Sequence, residues 1–166
     1  MRTDKIYLVG FMGAGKTTVA RALGRRLGWR VEDIDETIEA RERAAVAAIF
    51  ARHGEPYFRA IEREVLRSLV PLRQVVVATG GGTFADAENR ADIVSDGAVV
   101  WLDVPFALAV ERVPADGRRP LAADRAAFEE LYVRRAQSYR LANLRLDAAG
   151  APVQELVERI LDWLGY

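Results

Sequence analysis

Gly10, Gly15, Lys16 and Thr17 stand in the spacing GxxxxGK[ST], inside the stretch GFMGAGKTT at residues 10–18. The backbone N–H groups of such a loop cradle nucleotide phosphates, and its lysine sits near the β- and γ-phosphates as a compact point charge. Lysine is also rare in this chain: Lys16 is one of only two, against twenty-two arginines. A sequence that writes arginine wherever a surface cation will do has a reason to write lysine here, because a planar guanidinium is bulkier and differently aimed. The alternative is a glycine-rich turn with an incidental lysine.

Other residues could complete a phosphoryl-transfer site. Asp33 and Asp35 lie two residues apart, and such chemistry needs Mg²⁺ held near the nucleotide and a carboxylate to take the acceptor's proton. Asp33-Ile34-Asp35-Glu36 also resembles a capping box, so one aspartate could merely cap a helix, but both cannot occupy the same cap. Gly80, Gly81 and Gly82 give up much conformational entropy on folding, which close backbone approach to a ligand would explain; a flexible turn is the alternative. Phe128, Leu131, Tyr132, Arg135 and Tyr139 recur at helical spacing, which puts Arg135 on an apolar stripe. There it either snorkels to water or needs an anionic partner. Glu129 and Glu130 point elsewhere on the wheel, so a ligand carboxylate or phosphate is the expected partner. Arg59 shares a helix with Phe58, Ile61, Val65 and Leu66, but Glu62 and Arg63 beside it also fit an ordinary surface residue. Asp103 resembles a Walker-B aspartate, although Pro105 after it favours a simple helix cap. His53, within ARHGEP, is expected in a loop.

The elements that position these residues can be read from the apolar runs. Strands are expected at 6–9, 29–33, 74–79, 98–104 and 143–147, with helical periodicity between them. After the first strand Val19, Ala22, Leu23 and Leu27 recur at helical spacing until Gly28, so the glycine loop lies between a strand and a helix N-terminus, whose dipole favours anions. Pro152 opens the last helix, and Gly165 follows its stripe as a C-cap. The alternation specifies an α/β fold with a parallel sheet covered on both faces, which binds ligands beyond the carboxyl ends of its strands. Residues 10–18, Asp33 with Asp35, residues 80–82 and a Pro- and Gly-containing segment at 112–124 all fall at that end.

Composition narrows the function. With 166 residues, 51% of them hydrophobic, the chain can bury one sizeable core and is short for two, so a single domain over 1–166 is expected. Lysine plus arginine and aspartate plus glutamate are both 24, which leaves no excess positive charge for nucleic acid or an anionic membrane. Cysteine is absent and His53 is the single histidine, excluding disulfides, thiol catalysis and multi-histidine metal sites. The apolar run at 6–15 ends in Gly-Lys-Thr rather than a cleavage site, and a cytoplasmic protein is expected. No Asn-Lys-x-Asp motif for guanine recognition occurs.

Together these residues resemble the shikimate kinase family along nearly the whole chain. The resemblance is carried by GFMGAGKTT, DID at 33–35, IFARHGEPYFRAIE at 49–62, ATGGGT at 78–83, GRRPL at 117–121 and RRAQSY at 134–139, in the family's order and spacing. It implies a three-layer P-loop kinase fold with a five-stranded parallel sheet, a substrate-binding segment at about 33–61 and a mobile lid at about 112–125. The implied activity is transfer of the γ-phosphoryl group of ATP to the 3-hydroxyl of shikimate, with Mg²⁺ as cofactor, in a monomer. On this resemblance Lys16, Asp35 and Arg119 are catalytic, with Asp35 as base. Gly13, Ala14, Gly15, Lys16, Thr17, Thr18, Arg112, Arg119 and Pro152 bind ATP, while Thr17 and Asp33 hold the metal. Asp35, Arg59, Arg135 and Gly80, Gly81 and Gly82 bind shikimate, the arginines clamping its carboxylate. The chain departs from the family pattern in Phe84, where a small aliphatic residue is usual, and in Arg43, which replaces a glycine. Rival readings are a kinase for another small polyol acid such as gluconate, and a catalytically silent shikimate-binding sensor. The sensor would be expected to have lost Lys16 or Asp35, and both are present.

Overall fold

Five short apolar runs separated by amphipathic stretches leave the chain one way to bury both faces of each strand, a parallel sheet between helical layers. The computed structural model describes residues 3–113 and 124–166, so Arg119 and most of the expected lid lie outside the described residues. Strands β1 (Lys5–Val9), β2 (Arg30–Asp33), β3 (Val75–Ala78), β4 (Ala98–Asp103) and β5 (Leu144–Asp147) form one sheet in the order β2-β3-β1-β4-β5. Every pairing is parallel, with Lys5 opposite Val75 and Ile6 opposite Ala98 in the central register. β1 is buried at every residue, as a strand covered on both faces must be.

Eight α-helices are described: α1 (Lys16–Leu27), α2 (Ile34–Glu42), α3 (Val46–His53), α4 (Glu55–Leu69), α5 (Ala87–Asp96), α6 (Phe106–Arg112), α7 (Arg125–Tyr139) and α8 (Val153–Leu164). None of them is long and apolar enough to cross a membrane. Their ends follow local chemistry. Gly28 closes α1 and Gly165 closes α8, both left-handed, while Asp86 and Asp124 cap α5 and α7 through their carboxylates. The α8 stripe of Leu156, Val157, Ile160, Leu161 and Leu164 is buried, each side chain contributing about 1.5–3 kcal/mol relative to exposure. Phe84 is fully buried beneath the short 3-10 turn Thr83–Ala85 that follows β3.

Two sequence expectations are corrected. His53 is not in a loop; it ends α3, and its ring stacks on Tyr57 at 4.3 Å. Asp103 does not cap α6, whose N-cap is Pro105; it accepts instead from Arg145 Nη2 at 2.6 Å and Nε at 2.9 Å. A basic side chain on the neighbouring strand satisfies that carboxylate, which a reading of one strand at a time cannot reveal.

Candidate active site

The carboxyl end of β1 runs into the glycine loop, and the first residue of α1 is Lys16. Its side chain folds back beneath the loop, where Nζ donates to the carbonyls of Gly10 at 2.7 Å and Phe11 at 3.0 Å. Lys16 is only 8% exposed and lines a cavity of about 410 Å³. Gly13, Gly15, Thr17 and Thr18 line the same cavity, backed by buried Ala14. Opening at a helix N-terminus, with backbone donors and a buried cation around it, the cavity is built for an anion. Arg112, at the end of α6, approaches from the side and donates to the Gly13 carbonyl at 3.1 Å. Pro152 stands apart as the exposed N-cap of α8.

Asp33 and Asp35 divide the work that the sequence left open between them. Asp33 is the N-cap of α2: Oδ1 accepts from the Glu36 N–H at 3.0 Å, and Oδ2 accepts from the Thr17 hydroxyl at 2.5 Å. One carboxylate thus caps the helix and ties β2 to the glycine loop. Asp35, in the first turn of α2, leaves the cap to Asp33 and lines the cavity.

Beyond Asp35 a second, smaller cavity is lined by Phe50, Phe58, Arg59, Glu62, Gly80 to Gly82 and Arg135, with Met12, Asp35, Val46 and Gly81 shared with the first. Among the described residues Asp35 is the only ionisable one that lines both. Arg135 is 5% exposed, as its place on the stripe of α7 requires, and makes no hydrogen bond or ion pair among the described residues. Burial holds its guanidinium below the usual arginine value, with nearby Arg59 adding to that pressure. Such a cation is stabilised by an incoming carboxylate far more than a surface arginine would be.

Arg59 differs. Its Nη1 donates to both oxygens of Glu62 at 3.1 Å, and Nη2 reaches Glu55 at 3.3 Å. Burial works against its charge, but Glu62 and Glu55 outweigh that and raise its pKa. Glu62 has no exposed side-chain surface; burial pushes its carboxyl up although Arg59 opposes this, and the Thr83 hydroxyl donates to it at 3.0 Å. Sequence reasoning treated Glu62 only as a possible surface partner. The missed signal was its place four residues after Phe58 on an apolar stripe, the argument that singled out Arg135.

The glycine triplet leaves room for these side chains. A Cβ on Gly82 would stand 2.6 Å from Arg59 Nη1, and one on Gly80 would stand 2.9 Å from Asp35 Oδ1 and 3.1 Å from Glu62 Oε2. The site's own charged groups approach this backbone closely. Lys16, Thr17, Asp33, Asp35, Arg59, the triplet and Arg135 therefore come together at one end of the sheet, beyond the carboxyl ends of β1, β2 and β3, where doubly wound sheets bind ligands.

Comparison with known proteins agrees in extent with this geometry. A family model described as shikimate kinase matches residues 12–165. A shikimate kinase of Persephonella marina is 40% identical over 157 residues, covering 94% of this chain and 96% of that protein. The structure of shikimate kinase from Acinetobacter baumannii in complex with shikimate superposes with a TM-score of 0.93 at 36% identity, covering 98% of this chain and 93% of that one. A deoxyadenosine kinase from M. mycoides, with bound dATP, shares the fold alone, at a TM-score of 0.66 and 17% identity over 98% of this chain and all of its own.

Proposed function

The chain belongs to the shikimate kinase family and phosphorylates shikimate with ATP as donor, and we propose that Asp35 joins the two halves of its site as the base. The observation that carries this role is its position: Asp35 lines both the glycine-loop cavity, which suits the phosphates, and the arginine cavity, which suits a carboxylate-bearing acceptor. A hydroxyl bound between them lies within reach of both a phosphoryl group and a proton acceptor.

In this reading the 3-hydroxyl oxygen of shikimate attacks the γ-phosphorus, the bond from that phosphorus to the β–γ bridging oxygen breaks, and the hydroxyl proton passes to Asp35. Lys16 leaves its carbonyl partners for the phosphate oxygens, where a preorganised charge opposes the charge developing in transfer. Arg135 takes the substrate carboxylate, and Arg59 completes the clamp while Glu62 fixes the plane of its guanidinium. Thr17 and Asp33 offer the hydroxyl and carboxylate oxygens that Mg²⁺ prefers, and among the described residues no cluster of three or more His, Cys, Asp or Glu competes as a cage. That suits an ion that takes one or two protein oxygens and keeps water and phosphate for the rest. When bound, Mg²⁺ would neutralise charge on the phosphates. Arg112 and Pro152 are assigned to the nucleotide, and Arg119, outside the described residues, to the phosphates. Residues 1–166 form one domain in this reading and act as a cytoplasmic monomer, without nucleic-acid or membrane partners, for which the balanced charge leaves no excess of cations.

Asp35→Asn keeps the side chain's size but cannot take the proton. Turnover at saturating ATP and shikimate, followed by ADP release, should fall by about 10²–10⁴-fold with an unchanged melting temperature. Activity within a few-fold of the parent would remove Asp35 as base. In the same assay shikimate should be turned over in preference to quinate and gluconate.

A further inference from the structure

Tyr139 takes no part in the chemistry above, yet it is held more tightly than its place near the end of α7 requires. It is 2% exposed, and its ring packs against Trp101 at 5.9 Å, which in turn carries the Arg145 guanidinium over its face at 4.8 Å. The phenol hydroxyl donates to the carbonyl of Gly81, the middle residue of the glycine triplet. Burial raises its pKa well beyond the ordinary phenol value, so the hydroxyl stays a donor throughout the working range.

The loop is pinned from two sides. Thr83 ties its far end to Glu62, whereas Tyr139 ties its middle to α7. Tyr139 lies four residues after Arg135, so the helix presents both on one face. A Cβ on Gly81 would stand 3.2 Å from Arg135 Nη1 and 3.4 Å from the Met12 nitrogen, which places this residue as a wedge between the buried guanidinium and the glycine loop of the phosphate side. Gly81 therefore packs directly against the Arg135 guanidinium at the wall of the arginine cavity.

We propose that Tyr139 is a positioning residue for the acceptor: its bond to the Gly81 carbonyl sets the spacing of the glycine triplet and Arg135, and so the fit of the shikimate carboxylate. This rests on the reading of Arg135 as the carboxylate clamp. Without the bond the Gly81 carbonyl turns toward water and the triplet shifts under the acceptor. The phosphate side, built on its own backbone and on Lys16, keeps its geometry.

The test is steady-state kinetics of Tyr139→Phe, which keeps the ring and removes only the hydroxyl, beside Arg135→Ala. Tyr139→Phe should raise KM for shikimate about tenfold, the scale of one lost hydrogen bond, while KM for ATP stays within about twofold. If the variant melts early, calorimetric titration of each ligand well below its transition reads the same split. An unchanged affinity for shikimate, or equal losses for both ligands, would overturn the positioning role. Arg135→Ala separates the two failures: if it also leaves shikimate binding intact, the clamp is wrong, whereas if it alone weakens binding, only the role of Tyr139 fails.

Discussion

Strand β1 opens on one buried lysine and leads to another just past its end, and these are the only two in the chain. At the amino end Lys5 has no exposed surface, and its Nζ donates to the carbonyls of Leu69 at 2.9 Å and Val70 at 2.7 Å and to Asp96 at 2.6 Å. Tyr7 donates to the same carboxylate oxygen at 2.5 Å, and Arg73 stands 3.7 Å from the other oxygen. At the carboxyl end Lys16 also bonds two carbonyls, but it lines an open cavity. Both positions need a compact three-donor cation among backbone carbonyls, which a flat guanidinium cannot supply in the same space. The difference lies in what completes the shell. A carboxylate joins it at Lys5 and makes the network part of the fold, whereas Lys16 lines the cavity of the site. The rarity of lysine thus marks burial at both positions, and only the glycine loop singles out Lys16 for the proposed phosphate role.

Lys5→Met gives the largest stability effect expected here. It removes the close cation from buried Asp96 and leaves only the longer contact to Arg73 at 3.7 Å, and the unfolding free energy should fall by about 3 kcal/mol, while turnover per folded molecule stays near that of the parent. Chemical denaturation and kinetics below the transition measure the two separately. Comparable losses of activity and stability would erase the contrast between the two ends of β1.

A charge at the site end can also serve the fold alone. Asp86 accepts from the N–H groups of Glu88 and Asn89, and the hydrogen bond from Asn89 leads the effects that hold its carboxyl below the usual range, with Arg63 assisting. A depressed carboxylate stabilises the fold above its unfolded pKa, and that stability is lost as pH falls through the folded value. Asp86→Ala should therefore cost about 1 kcal/mol at neutral pH, a penalty that shrinks as the pH drops below about 4, with turnover unaffected. Melting curves of both proteins across pH 3–7 read this directly.

The smallest effect concerns Arg43. It ends α2 in a left-handed conformation at φ 53°, which glycine adopts without the Cβ penalty. Arg43→Gly should raise stability by up to about 1 kcal/mol, the left-handed cost relieved less the entropy glycine adds to the unfolded chain. A clear loss would mean that the side chain makes a contribution the backbone conformation hides.

Much of the fold was legible in the sequence because a parallel sheet writes its strands as short apolar runs with glycine or aspartate at their ends. The observed strands begin and end within one residue of the expected ones, and Gly28, Pro152 and Gly165 fall at the helix termini where their backbone preferences place them. Lys16, Arg135 and the triplet were legible because each breaks a local rule: a lysine among arginines, a charge on an apolar stripe, three glycines after a strand. The Lys5 network was not, since Asp96 is 91 residues away and periodicity carries no information across that separation. Nor was the role of Tyr139, whose ring fits the stripe so well that nothing marks its hydroxyl. Glu62 lay between these cases, visible by its stripe position and hidden by a neighbouring arginine that made a surface pair equally plausible.

The comparison of the two lysines is tested most directly by Lys16→Met, assayed for ADP release at saturating ATP and shikimate beside its melting temperature. Turnover should fall by about 10²-fold or more, the scale of losing a preorganised charge, while the melting temperature stays close to that of the parent. Near-normal turnover in the folded variant, or a collapse in stability like that expected for Lys5→Met, would contradict the assignment of Lys16 to chemistry and leave both lysines as parts of the fold.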